Sequence, residues 1–151
     1  MLRMIEQIAA MLAAILARKR AGQLVEAHAE IENSCLQTVG ITMAELKRLS
    51  PEAVAQLLNN FGALRTIRAM TLAELLLVEA EIHEPDLIPQ AILPNYVHAF
   101  CLIADEVDKL TAEEQTIYRA KLAWLAERLG SLRTHPYIQA RLHDLGTAKN
   151  T

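Results

Sequence analysis

The densest cluster of side chains able to bind a metal ion is the stretch EAEIHEPD, residues 79–86. Glu79 and His83 are four residues apart, which places them on one face of a helix. With Glu84 or Asp86 they could bind a transition metal, because imidazole and carboxylate groups are common metal ligands. We therefore take Glu79 and His83 as a candidate metal site. The alternative is a histidine stabilised by the dipole at a helix C-terminus.

The familiar patterns of catalytic metal sites do not occur in this sequence. No histidine follows a glutamate at the spacing of the E-x-x-H motif found in di-iron bundles. His83 and Glu84 are not followed by the second histidine of an H-E-x-x-H motif. We therefore predict no cofactor.

Cys101 and His98 are the residues whose spacing could support nucleophilic catalysis. They are three residues apart on a predicted helix, and a Cys–His pair can form an activated thiolate. The sequence offers no identifiable third group to orient the histidine, so we expect a buried Cys101 beside a histidine at the surface or boundary. Phosphate-binding glycine loops and the G-x-S-x-G elbow are also absent. These observations favour a protein that is not an enzyme.

Charge is distributed unevenly along the chain. Residues 69–108 contain no lysine or arginine but eight of the 18 acidic residues, whereas all 15 basic residues lie elsewhere. This interval could form a docking surface for a basic partner or a cation site. Charge runs more often form a solvated face, and this one could also pair with Arg18, Lys19 and Arg20 of another subunit. The candidate partner-binding residues are Glu74, Glu79, Glu81, Glu84 and Asp86.

Composition indicates one globular domain. The chain has 151 residues, of which 52% are apolar, so it can bury a core and is not predominantly disordered. A net charge of −3 and only six aromatic residues argue against nucleic-acid binding.

The apolar stretch at residues 8–17 is too short to span a bilayer, which takes roughly 20 residues. It also has the opposite charge order from a signal peptide, so we predict no membrane association. Cys35 and Cys101 form no C-x-x-C pair, which favours reduced thiols and a cytoplasmic location.

The elements that must position these side chains are helices. Thr42 with Glu45 and Thr111 with Glu114 form capping boxes, and no stretch alternates as a strand would. We expect the proline-punctuated segment DLIPQAILPNY, residues 86–96, to be a connector with room for one helical turn. The sequence predicts an all-α domain over residues 1–145 with a flexible tail at 146–151. Apolar periodicity places its six to eight helices at about 2–20, 23–38, 43–49, 51–60, 62–83, 95–109, 112–129 and 136–145.

The stretch ARKRAGQLVEAHAEIE, residues 17–32, has the pattern of a helical elbow. Gly22 permits a tight turn, and the small Ala27 lets two antiparallel helices pack closely. This pattern resembles one helix-turn-helix unit of tetratricopeptide type. The match is partial, because the first helix lacks the aromatic and glycine pattern and no 34-residue repeat recurs. Residues 95–129 could form a second, degenerate hairpin.

Residues 5–84 resemble an uncharacterised bacterial all-helical family, one of the domains of unknown function. The resembling features are the long helix at about 62–83 and the segments IEQIAAMLAAILARKRAGQLVEAHAEIENSCLQ and LSPEAVAQLL. The resemblance implies tetratricopeptide-like hairpins in a compact or slightly curved array. It brings no catalytic residues.

Three functional hypotheses follow. The leading one is a non-enzymatic protein-interaction or scaffold module whose inter-helix groove binds a partner segment, with acidic residues at the rim. The alternative is a small-molecule or metal-binding helical domain, in one version an enzyme, with a site near Glu79 and His83 that draws on His98 or Cys101. The third is self-assembly into a homodimer through the alanine-rich first helix.

Overall fold

The computed structural model describes residues 3–83 and 89–130, which are helical with no strand in those ranges. The all-α prediction is confirmed, and the α-helices in these ranges fall within the predicted number. The predicted last helix and the tail, and with them the C-terminal domain boundary, lie outside the described residues. The α-helices are α1 (Met4–Arg20), α2 (Leu24–Val39), α3 (Met43–Arg48), α4 (Pro51–Leu58), α5 (Arg65–His83), α6 (Pro89–Glu106) and α7 (Ala112–Arg128). Two 3-10 helices cover Asn59–Leu64 and Val107–Lys109.

The break between α1 and α2 lies at Gly22, as predicted. Gly22 has a φ of 76°, a left-handed conformation that glycine adopts without the steric penalty of a Cβ atom. The N–H of Gly22 donates to the carbonyl of Lys19 at 3.0 Å, and the N–H of Gln23 donates to that of Arg18 at 2.9 Å. These bonds satisfy carbonyls at the end of α1 and return the chain toward α1, so that α2 packs against it.

α5 is the central helix of the described structure and packs against α1, α2 and α6. Met70, Leu72, Leu75 and Leu76 are fully buried on it. Its apolar surface extends around most of the helix, as expected for an element with neighbours on several sides. This central position brings residues of α5 to every site described below.

The start of α5 differs from the prediction. We expected one helix to end at residue 60 and the next to begin at 62, whereas α4 ends at Leu58 and α5 begins at Arg65. The 3-10 segment between them contains Gly62 at φ 55° and ψ −123°. This conformation cannot continue a helix, and only glycine adopts it readily. Gly62 therefore sets the change of direction.

α6 begins at Pro89, so the connector predicted for residues 86–96, with at most one helical turn, was wrong from Pro89 onward. Proline is well tolerated at the first helical position, because its missing N–H would have no partner there. Pro94 lies inside the helix, where it removes one backbone hydrogen bond. Burial of Ile92 and Tyr96 and two hydrogen bonds from the Asn95 amide offset that cost.

α2 buries a narrow face. Ala27, Ile31 and Cys35, spaced four residues apart, are completely buried. Leu24 and Leu36 are 45% and 44% exposed. The small Ala27 and Cys35 side chains allow close helix packing along that one line, which leaves the flanking leucines at its edge.

Candidate functional site

A groove of about 390 Å³ lies between α1, α5, α6 and α7. This volume is within the range of natural ligand-binding sites, roughly 300 to 1,000 Å³. Its walls are mostly apolar and aromatic, with three charged residues among them. The lining residues are Leu12, Leu16, Leu77, Val78, Tyr96 and Trp124, together with Glu74, Glu81 and Lys121.

α1 forms one wall of the groove because its apolar residues divide into two lines. Ile8 and Ile15 are buried in the core. Leu12 and Leu16 lie farther around the helix and are only half-buried. They pack against the edge of the core and leave part of their surface open to the groove. The apolar stripe of α1 is therefore wider than the surface that contacts the core, and its outer leucines form the groove wall.

Two aromatic residues form the opposite wall. Trp124 of α7 is 42% exposed, and its ring makes an edge-to-face contact with Tyr96 of α6, with ring centroids 5.9 Å apart. The guanidinium carbon of Arg128 lies 4.1 Å from the centroid of Trp124, in a cation–π contact. These two contacts fix the indole while leaving much of its surface available. A partly exposed tryptophan in a groove is typical of a binding hot spot.

The Glu74 carboxylate forms part of the groove lining but is paired within the chain. Its side chain is 5% exposed and accepts a hydrogen bond from the Lys121 ammonium group, which joins α5 to α7. Burial raises the pKa of the nearby Tyr118 hydroxyl, and the charges of Glu74 and Glu114 raise it further. Glu74, predicted to bind a partner, therefore has an internal cation as its immediate neighbour.

Glu79 is also buried and engaged by other helices. Its Oε1 atom accepts hydrogen bonds from Lys47 Nζ of α3 at 2.5 Å and from Asn95 Nδ2 of α6 at 2.9 Å. His83, its predicted partner in a metal site, stacks instead on His28 of α2, with ring centroids 4.2 Å apart. Among the described residues, no three metal-ligating side chains of the His, Cys, Asp or Glu type converge.

Glu81 is the exposed acidic residue of the groove. Its backbone carbonyl accepts a hydrogen bond from Lys19 Nζ at 3.5 Å, and its carboxylate forms no ion pair with a residue in the described ranges. Glu84 and Asp86, the other predicted partner-binding residues, lie outside the described residues. Of the candidate partner-binding residues that the structure describes, Glu81 is therefore the exposed one, because Glu74 and Glu79 are buried.

The uneven charge of the sequence is largely balanced by ion pairs between helices. Glu106 is 1% exposed, and hydrogen bonds from Arg65, Lys109 and Thr66 lower its pKa, although burial alone would raise it. The basic partners all come from outside residues 69–108. The pairs are Glu74 with Lys121, Glu79 with Lys47, Glu106 with Arg65 and Lys109, and Asp108 with Arg119.

His98 is buried, contrary to the expectation of a surface or boundary position. It is 3% exposed, as is Cys101. Burial lowers its pKa, although the neighbouring backbone carbonyls of Lys47 and Leu49 act in the opposite direction. Its Nδ1 atom has no hydrogen-bond partner among the described residues. The cavity that His98 and Cys101 line measures about 10 Å³, room for about one water molecule and too small for an organic substrate.

The groove aromatics and the histidine pair were not predicted from the sequence. The four-residue spacing of Trp124 and Arg128 was a usable signal, because it places the two side chains on one helix face. No local signal linked Tyr96 to Trp124, or His28 to His83, since each pair joins residues far apart in sequence.

No protein-family model matches this chain, and no curated protein or solved structure matches it either. None of the helices in residues 3–83 and 89–130 is long and apolar enough to cross a membrane. The geometry of the groove is therefore the basis of the functional proposal.

Proposed function

We propose that this chain is a non-enzymatic protein-interaction module that binds an amphipathic helix of a partner protein in the groove between α1, α5, α6 and α7. The supporting observation is a groove of about 390 Å³ in which Trp124 remains 42% exposed beside half-buried leucines. Helix-in-groove recognition uses such a surface, because apolar side chains on one face of the bound helix fill it.

The charges at the groove favour a basic helix as the partner. Lys121 is paired with Glu74, so these two charges largely cancel. Glu81 adds an exposed carboxylate beside the apolar lining. A lysine or arginine flanking the apolar anchors of the partner would pair with it. Glu84 and Asp86 belong to this proposal on sequence grounds.

Site-specific photo-crosslinking in a lysate of the native host tests this proposal. A photoreactive residue at position 77, in the groove, should capture a discrete protein through an amphipathic basic segment identified by mass spectrometry. The same residue at position 25, which is 79% exposed on α2, serves as the matched control. Equal capture from both positions, or capture through an acidic or unstructured segment, would contradict the proposal.

A second candidate function is the binding of a small apolar ligand in the same groove. The volume is sufficient, and the edge-to-face pair of Tyr96 and Trp124 offers aromatic surface for it. The two kinds of ligand would cover different areas of the groove. A bound helix would slow hydrogen exchange of the backbone amides around Leu12 and Leu16 of α1, about one turn apart, whereas a small ligand would affect the surroundings of Trp124 alone.

We also propose that α1 and α2 form a hairpin of tetratricopeptide type, as in the bacterial family that the sequence resembles. The complete burial of Ala27 on α2, the helix that packs against α1, supports this proposal. The buried free thiols of Cys35 and Cys101 support a reducing compartment such as the cytoplasm. A homodimer through α1 is a further proposal, supported by a row of exposed small residues on that helix: Ala9, Ala10, Ala13, Ala14 and Ala17.

A further inference from the structure

Two histidines from different helices meet beside α5. His28 belongs to α2, and His83 is the last residue of α5. Their ring centroids are 4.2 Å apart and the ring planes are inclined by 34°. The preceding residues, Ala27 and Ile82, are buried in the core. Packing of α2 against α5 therefore holds the two imidazoles together.

We propose that His28 and His83 bind a divalent transition metal ion of the Zn²⁺, Ni²⁺ or Cu²⁺ class, with water completing its coordination. Imidazole is a favoured ligand of these ions. A hydrogen bond at one ring nitrogen orients a histidine and leaves the other nitrogen for the metal. Two nitrogens bound to one Zn²⁺ ion lie about 3.3 Å apart. Binding one ion therefore requires the two neighbouring imidazoles to turn from their face-to-face contact until one nitrogen of each ring faces the metal.

The electrostatic surroundings also favour a cation. His83 lies at the C-terminal end of α5, where the helix dipole places partial negative charge. Glu81, two residues earlier, lines the groove on another face of α5. The Lys19 ammonium group of α1, which contacts the Glu81 carbonyl, is the opposing positive charge. Two imidazole ligands suit ions of the Zn²⁺, Ni²⁺ or Cu²⁺ class better than Ca²⁺ or Mg²⁺, which prefer several oxygen ligands.

This site differs from the pair predicted from the sequence. Glu79 and His83 share a helix face, but the Glu79 carboxylate is held by Lys47 and Asn95. His28 supplies the second ligand from α2 instead. Because the ligands come from two helices, the complete site exists only in the folded chain, and metal binding must stabilise the fold.

Thermal unfolding of the full chain with ZnCl₂ or NiCl₂ tests this inference. At a metal concentration about 100-fold above Kd, we expect the Tm to rise by roughly 5 to 10 °C over a sample with EDTA. H28Q and H83Q should each lose most of this rise. The control H135Q/H143Q, which removes two histidines outside the described residues, should keep it. No rise in the natural chain, or an equal rise in H28Q and H83Q, would overturn the proposal.

An NMR measurement on the natural chain does not depend on the variants folding. Substoichiometric Cu²⁺ should broaden the imidazole signals of His28 and His83 before those of the other three histidines. Preferential broadening of His135 or His143 would instead place the metal elsewhere and reject the site.

Discussion

Lys121 of α7 donates a hydrogen bond to the Glu74 carboxylate of α5 at the wall of the groove. The Glu74 side chain is 5% exposed and that of Lys121 is 37% exposed. A carboxylate in this position needs its cation, because burial without a partner costs free energy. The ion pair thus links the helix that carries Trp124 to the central helix, and the shape of the groove depends on it.

Replacing Lys121 with methionine should therefore destabilise the protein, because Glu74 would remain buried without its partner. We expect a loss of about 1 to 3 kcal/mol in the free energy of unfolding, measured by urea denaturation. The double variant E74L/K121M should be more stable than K121M, since it removes the uncompensated charge. A double variant that is less stable than K121M would contradict this account of the ion pair.

His98 should make stability depend on pH in the range between 7.5 and 5. Its pKa in the folded state is below the ordinary value of 6.5, so the unfolded chain binds the proton more readily. The contribution of His98 to the free energy of unfolding is therefore fully present above pH 6.5. It is lost as the pH decreases through that value, by at most about 1.4 kcal/mol per pH unit. Urea denaturation at a series of pH values measures this slope.

The variant H98Q provides the comparison for that slope. It should be less stable at pH 7.5 because the packing around residue 98 changes, but it should lose less stability than the natural chain between pH 7 and 5. The pKa of Glu106 is lowered from 4.5, so its contribution is lost only at lower pH and does not overlap this window. Parallel pH profiles for the two proteins would show that His98 is not the group responsible.

Pro94 and Pro89 should differ in their effect on stability although both lie in α6. P94A restores a backbone N–H inside the helix, where an interior proline costs roughly 3 kcal/mol. Without proline the unfolded chain has more conformational freedom, which lowers the free energy of unfolding by about 0.4 to 1 kcal/mol and so reduces the gain. We expect P94A to be more stable by about 2 kcal/mol.

P89A is the matched control, because an N–H at the first helical position has no helical partner. It should change stability little or reduce it slightly. Thermal and urea denaturation of both variants would show the difference. A stabilisation of P89A equal to that of P94A would indicate that the position of Pro94 inside the helix is not what matters.

Local signals predicted the helices well where the chain carries caps and clear periodicity. Thr42, Ser50 and Thr111 each accept the backbone hydrogen bond expected of a helix cap. The signals were insufficient at Pro94, because proline normally indicates a helix end and only the tertiary contacts of Asn95 and Tyr96 sustain the helix around it. Boundaries set by such contacts are not encoded locally.

The candidate site was less predictable than the fold. The sequence indicated an acidic interval, but it could not show that Lys47, Arg65 and Lys121 would come from other helices to pair with its buried members. The groove could not be predicted from the sequence either, because Leu12, Leu77 and Trp124 converge only through tertiary packing. A lone histidine such as His28 does not indicate a site in the sequence, and the pair is evident only in the fold, where His83 lies beside it.

The fluorescence of Trp124, the single tryptophan of the chain, tests the central proposal most directly. Three synthetic amphipathic helices with one apolar face and a basic, neutral or acidic polar face would be titrated into the protein. We expect a blue shift and reduced acrylamide quenching, strongest with the basic peptide. The response should be lost in L77K, which places a charge in the groove, and kept in V25K, which places it on the exposed surface of α2. Unchanged fluorescence with all three peptides, or the same response in L77K as in V25K, would contradict helix binding in the groove.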